Sequence, residues 1–258
     1  MKAYLVNKYQ RPMEAGDAPE PAVGGHDVLV DVHAAGVNLL DARIRDGVFK
    51  LFLPYKAPFT LGHDVAGVVS RVGSAVTRFS VGDEVYARPR DGRIGTFAER
   101  IGVHEDDLAF KPASLSMAEA ASVPLVALTA WQALVERANL QRGQKVLIHA
   151  GSGGVGTYAI QLAKHLGRRS PPPQAPATSN GSATSAPTSS STTGRRGVRY
   201  SFLFMRASGV QLGEITKLID SGDLRPIVDR TYPFDEAPQA LAHVERGRSK
   251  GKVVITMP

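Results

Sequence analysis

The 258-residue chain has no cysteine. That excludes a disulfide framework, a thiolate nucleophile and any Cys-ligated metal site. It has no run of 18 apolar residues, so a membrane-spanning helix is not expected. The N-terminal "MKAYLVNKYQRP" lacks the apolar stretch and small-residue cleavage site of a secretory signal. The expected location is the cytoplasm. A third absence is local. From Arg168 to Gly194 there is no Val, Ile, Leu, Met, Phe, Trp or Tyr. Such a segment offers nothing for a core to bury.

The formal charge of +7 raises the question of nucleic acid. Its placement argues otherwise. Arg168, Arg169, Arg195, Arg196 and Arg199 lie in or beside the coreless segment, which has no acids. The rest of the chain is nearly balanced, and no aromatic residues interleave with the arginines. Neither a nucleic-acid nor a membrane partner is expected.

What is present is an ordered series of parts. "DVLVDVHAAGVN" alternates apolar and polar and breaks at Gly36. "VAGVVSRVGSAVTRFSVGDEVYA" gives two strand-like runs, punctuated by Gly67, Gly73 and Gly82, as tight barrel corners require. "GTFAERIGV" is a further strand candidate. Ser116 and Glu119 make a capping pattern before "AASVPLVALTAWQALVERANL", which Pro124 divides into two helices. "KVLIHA" (145–150) predicts a short buried strand running into a glycine turn and a helix. "GVQLGEITKLIDSGDL" predicts an amphipathic helix with Leu212, Ile215, Leu218 and Ile219 on one face. "DEAPQALAHVERG" predicts a capped helix, and "GKVVITM" a terminal strand.

The turn "GSGGVG" fits G-x-G-x-x-G between a strand and a helix. Gly151 permits the tight turn, Gly153 clears a pyrophosphate's approach, and Gly156 lets helix and strand pack. Ser152, Gly154 and Val155 complete the loop, whose helix N-terminus offers free N–H groups to phosphate. A ligand-free tight turn is the alternative. The ribose-reading residue, about 20 positions on, falls inside the coreless segment.

These motifs resemble the medium-chain dehydrogenase/reductase family, most of all its zinc-free quinone oxidoreductase branch. "AAGVNLLDARIRDG", "PFTLGHDVAGVVSRVG", "ASVPLVALTAWQAL", "VLIHAGSGGVGTYAIQLAKHLG" and "GRSKGKVVI" carry the resemblance over 1–167 and 197–258. It implies an α/β plus β fold. A GroES-like, partly open β-barrel catalytic domain (1–120) would precede the start of a Rossmann-like cofactor domain (121–167). A low-complexity, disordered segment (168–197), a residual Rossmann end (198–225) and a return to the catalytic domain (226–258) would follow. The Rossmann-like domain is therefore expected to be incomplete.

The resemblance implies hydride transfer from NADP(H) to a quinone or conjugated enone, with a homodimer as one option. It places Asn38 and Asp41 near the nicotinamide, Thr129 at its end of the cofactor, and Lys252 at a phosphate or ribose. Asn38 and Thr129 also fit a role in satisfying local backbone groups, and Lys252 a solvated edge-strand charge. Tyr55 is either a proton donor or a packing residue. The family's zinc-ligating Cys position holds Asn38, so no metal is expected, and His63 with Asp64 is expected to form a structural pair. The coreless segment can be back-translated and read one nucleotide earlier as strand-like sequence ending "LGADVVVDY". That suggests a shifted reading frame followed by loss of much of the domain; a genuine disordered insert is the rival. The alternative function is that of a truncated, catalytically impaired member, a non-catalytic binding or assembly protein.

Overall fold

A computed structural model describes residues 1–168, 190–193 and 198–257. The rest of the coreless segment, and with it the frame-shift and disorder expectations, lies outside the described residues.

The elements run β1 (Lys2–Val6), β2 (Glu14–Asp17), β3 (Asp27–Val37), α1 (Leu39–Arg45), β4 (Phe59–Thr60), β5 (Asp64–Val72), β6 (Glu84–Ala87), β7 (Arg100–His104) and β8 (Leu108–Phe110). Then come α2 (Met117–Ala121), α3 (Pro124–Trp131), α4 (Gly154–Arg168), β9 (Ser190–Thr193), β10 (Val198–Ser201), α5 (Gly209–Asp220), β11 (Val228–Pro233), α6 (Ala237–Glu245) and β12 (Lys252–Thr256).

One seven-stranded sheet organises the molecule, in the order β11-β12-β3-β5-β6-β8, with β7 also on β3. Strand β3 is long enough to serve two partners along one edge: Asp27–Asp31 pair with β7 and Ala34–Val37 with β12. The sheet does not close. β1, β2 and β4 form a separate three-stranded sheet, and β9 pairs with β10 in a ribbon.

Alternation of side chains along the strands divides the core in two. Val30, Val65, Val85, Phe97, Val253 and Ile255 face one interior, covered by Ile44 of α1 and Leu241 of α6. Ala34, Ala66, Tyr86 and Val254 face the other side, against Leu128, Tyr158, Leu162, Leu212 and Ile215 from α3, α4 and α5. Helices α2 to α5 therefore pack on the outer face of the catalytic sheet, whereas α6 covers the first interior. Among the described residues, the only strands that run parallel are β11 and β12.

Several local expectations hold. Ser116 and Glu119 form a reciprocal capping box at α2, and Pro124 opens α3. Helix α5 buries Leu212, Ile215, Leu218 and Ile219 together. Tyr86 ties it down by donating its hydroxyl proton to Leu212 O at 2.8 Å. Burial pushes that phenol well above its ordinary pKa, so it stays a donor.

Other expectations are corrected. Residues 145–150 form no strand, and Leu147 is 80% exposed. A lone strand has no ladder to satisfy its N–H and C=O groups, and among the described residues no neighbouring strand supplies one. Gly36 does not break β3. A Cβ there would lie 2.4 Å from Ala121 O and 2.9 Å from Asp64 Cβ, so the glycine admits α2 and β5 to close approach. At α6, the N-cap Glu236 makes no side-chain cap bond; a proline in the first turn and a preceding 3-10 turn start the helix.

Candidate active site

The site begins where β3 turns into α1. Asn38 is extended (φ −127°, ψ 149°) and caps the helix. Asp41, three residues on, accepts the Asn38 backbone N–H on Oδ2 at 2.8 Å. Its other oxygen lies 2.6 Å from His63 Nδ1, and both of those side chains are wholly buried. The expected His63–Asp64 pair does not form. Adjacent residues of an extended chain point to opposite faces, so His63 turns to Asp41 and Asp64 away from it.

Asp64 gathers three donors instead. Oδ1 accepts the N–H of Leu125, at the start of α3, at 2.7 Å. Oδ2 accepts Asn38 Nδ2 at 2.9 Å and Lys252 Nζ at 3.1 Å. Lys252 also donates to Asn38 Oδ1 at 2.6 Å and to Val37 O at 3.0 Å. It is 4% exposed. The solvated edge-charge alternative fails, because β11 and β3 flank β12 and leave it inside the sheet.

The glycine turn docks on the same strand. Gly251 N–H donates to Ser152 O at 2.9 Å, and Gly153 and Gly251 form a parallel bridge. A Cβ on Gly156 would lie 2.2 Å from Ala150 O, and one on Gly154 would meet Val126 Cγ1 at 3.0 Å and Lys252 Cδ at 3.2 Å. A Cβ on Gly153 would approach nothing closer than Ala150 O at 3.4 Å, so that side of the turn is open. The 15-residue α4 then starts at Gly154, and its first N–H groups are those a phosphate would meet.

Thr129 donates its hydroxyl to Leu125 O at 2.7 Å, the local-backbone role. One turn earlier in α3, the Leu125 N–H is the one held by Asp64, so Thr129 sits beside the cluster through that helix. Tyr55 stands apart. Its ring stacks on Phe59 and its oxygen accepts the Gly92 N–H at 3.2 Å. Burial pushes the Tyr55 phenol above its ordinary value. Asn38, Asp41 and Lys252 are thus brought into one network, with Val126 and Lys252 beside the turn. Asp64 is the member that sequence reasoning misassigned; its signal was a carboxylate opening a buried strand with no nearby cation in sequence.

No group of three or more His, Cys, Asp or Glu side chains placed to hold a metal occurs among the described residues. The donor set at Asn38 and Asp64 is already met by an ammonium.

A partly open sheet that takes in the last strand of the chain, with a glycine turn and helix docked beside that strand, is the architecture of a GroES-like dehydrogenase. The alcohol dehydrogenase GroES-like domain matches residues 24–113, and the zinc-binding dehydrogenase domain matches 129–255. Human NAD(P)H oxidoreductase RTN4IP1, mitochondrial, is 31% identical over 90% of this chain and 82% of its own. The 2-methylene-furan-3-one reductase of Solanum lycopersicum is 32% identical over 91% and 73%. The quinone oxidoreductase of Coxiella burnetii has a TM-score of 0.84 and 28% identity, covering 100% of this chain and 99% of that one. The chain belongs to the medium-chain dehydrogenase/reductase superfamily, in its quinone oxidoreductase-like branch. The alignment with the human relative spans 324 positions, more than the 258 residues of this chain, so the relative holds internal sequence that is missing here.

Proposed function

We propose that the chain is an NADPH-dependent oxidoreductase that reduces a quinone or conjugated enone without a metal. The observation that carries this reading is the docking of the glycine turn on β12, one residue from the lysine that holds Asn38. Gly151, Ser152, Gly153, Gly154, Val155 and Gly156 would hold the cofactor's phosphates at the start of α4. Asn38, with Asp41 behind it, and Thr129 would line the nicotinamide end. The bound nicotinamide supplies the hydride; quinones and enones are already electrophilic, so positioning and exclusion of water suffice. The proton that completes the reduction comes from solvent or from Tyr55, whose phenol is protonated at neutral pH.

The metal-free reading rests on the side chains present. A zinc site draws on several Cys, His or carboxylate ligands brought together. The chain has no cysteine, no group of three or more His, Asp or Glu side chains is placed to hold a metal among the described residues, and Lys252 already donates to Asn38 Oδ1 and Asp64 Oδ2. The preference for NADPH draws on a relative of this branch, the chloroplastic NADPH-dependent alkenal/one oxidoreductase of Arabidopsis thaliana, 42% identical over 57% of this chain and 39% of its own.

A second reading, a catalytically impaired member, is favoured by residues 145–150, which form no strand and of which all but Ile148 are exposed. Titration of the full chain with NADPH, followed by nicotinamide fluorescence, separates the two. Saturable binding with turnover of a quinone supports the enzyme. No binding at millimolar NADPH refutes it in favour of the impaired form.

A further inference from the structure

We propose that Lys252 is a positioning residue that sets the Asn38 amide and joins it to the glycine turn, and that it does not contact a cofactor phosphate. This rests on the reading of the chain as a nicotinamide-dependent reductase. An ammonium has three donors. Lys252 directs its Nζ to three protein oxygens, Val37 O at 3.0 Å, Asn38 Oδ1 at 2.6 Å and Asp64 Oδ2 at 3.1 Å. To reach a phosphate it would have to abandon Asp64, whose side chain has no exposed surface. A buried carboxylate stripped of its cation is strongly disfavoured.

The Asn38 amide is fixed at both ends. Its nitrogen donates to Asp64 Oδ2 at 2.9 Å and to Gly36 O at 3.3 Å, while its oxygen accepts from Lys252. Flipping the amide would set its hydrogens against the ammonium. Lysine and aspartate together therefore dictate the orientation of Asn38.

The lysine stem performs a second task. A side chain added at Gly154 would meet Lys252 Cδ at 3.2 Å and Cγ at 3.5 Å, so stem and turn are packed without a gap. The preceding residue, Gly251, holds Ser152 through its backbone. Head and stem thus link Asn38 to the start of α4. Hydride transfer is sensitive to such a link, since a misplacement of about 1 Å costs on the order of a hundredfold in rate.

The K252M variant keeps the stem and removes the ammonium. In the full chain without cofactor, the side-chain amide protons of Asn38, followed by NMR, are expected to lose exchange protection about tenfold or more. NADPH affinity is expected to stay within about twofold, with unchanged ionic-strength dependence. Turnover of a quinone is expected to fall roughly 10- to 100-fold in kcat, with little change in KM for NADPH. If K252M alone does not fold, K252M/D64N removes the stranded carboxylate and carries the same expectations. The proposal is overturned if NADPH affinity falls about tenfold or more with a flattened salt dependence, as loss of a phosphate contact would give. It is equally overturned if the Asn38 amide protons are unchanged. A wild-type chain that binds no NADPH refutes the reductase reading; the Asn38 measurement, made on the free protein, then decides the Lys252 proposal by itself.

Discussion

Asp41 Oδ1 lies 2.6 Å from His63 Nδ1, and neither side chain has any exposed surface. The same carboxylate accepts the Asn38 backbone N–H through its other oxygen. Asp41 thereby ties the start of α1 to the residue that precedes β5. Breaking a buried pair by removing one partner costs about 3 kcal/mol or more. For a chain of this size, about 1 kcal/mol moves Tm by roughly 2–4 °C. Asp41→Ala is therefore expected to lower Tm by roughly 6–12 °C, read by thermal unfolding. A change under about 2 °C would show that the network does not support the fold.

The acid limit of stability has a named contributor in Asp27. The Arg93 guanidinium beside it, donating at 2.6 and 2.9 Å, holds its carboxyl below the usual range, helped by the Gly24 N–H. A carboxyl depressed in the folded state stabilises above its unfolded pKa, and that contribution is lost as pH falls through the folded value. Asp27→Asn is thus expected to be less stable than wild type at pH 7, by about 1–3 kcal/mol for a charge-assisted pair. The gap should narrow below pH of about 4. Urea midpoints of both proteins across pH 2–7 (an approximate range chosen around the carboxylate pKa) measure this. Parallel curves throughout would remove Asp27 from the acid transition.

Leu147 offers a test of the incomplete domain. In a doubly wound sheet it would be a core residue, and a charged substitution would be severe. Here its side chain is 80% exposed. Leu147→Glu is expected to change stability by no more than about 0.5 kcal/mol, as at an ordinary surface position, and to improve solubility. Chemical denaturation measures the first and concentration-dependent scattering the second. A loss of several kcal/mol would mean that residues 145–150 are buried as a strand in solution.

Much of the fold was legible because local patterns decided it. Period-two alternation marked β3, the Ser116–Glu119 spacing marked α2, and the 3.6-residue period marked α5. What failed depended on neighbours distant in sequence. "KVLIHA" has the composition of a buried strand, but composition cannot report that its sheet partners are missing. An edge charge stood as the alternative for Lys252 because nothing in "GKVVITM" announces that β11 will lie on one side and β3 on the other. The His63–Asp64 pair was inferred from adjacency, whereas an extended backbone separates adjacent side chains. The glycine turn was read correctly as a turn, yet its anchor, Gly251, lies about a hundred residues further along the chain.

That turn yields a paired prediction. A Cβ on Gly156 would lie 2.2 Å from Ala150 O and 2.7 Å from Gly151 Cα, both backbone atoms that cannot step aside without opening the turn. A Cβ on Gly213, within α5, would meet nothing within 4 Å. Gly213→Ala is expected to stabilise by up to about 1 kcal/mol, because alanine restricts the unfolded chain and favours helix. Gly156→Ala is expected to destabilise the first turn of α4 and to weaken NADPH binding by about tenfold or more, since the helix N-terminus that would face the phosphates is displaced. Thermal unfolding of both variants, with NADPH titration of the second, checks the pair. If Gly156→Ala binds NADPH as the wild type does, the turn is only a connection between the exposed segment and α4, and the cofactor phosphates must be held elsewhere.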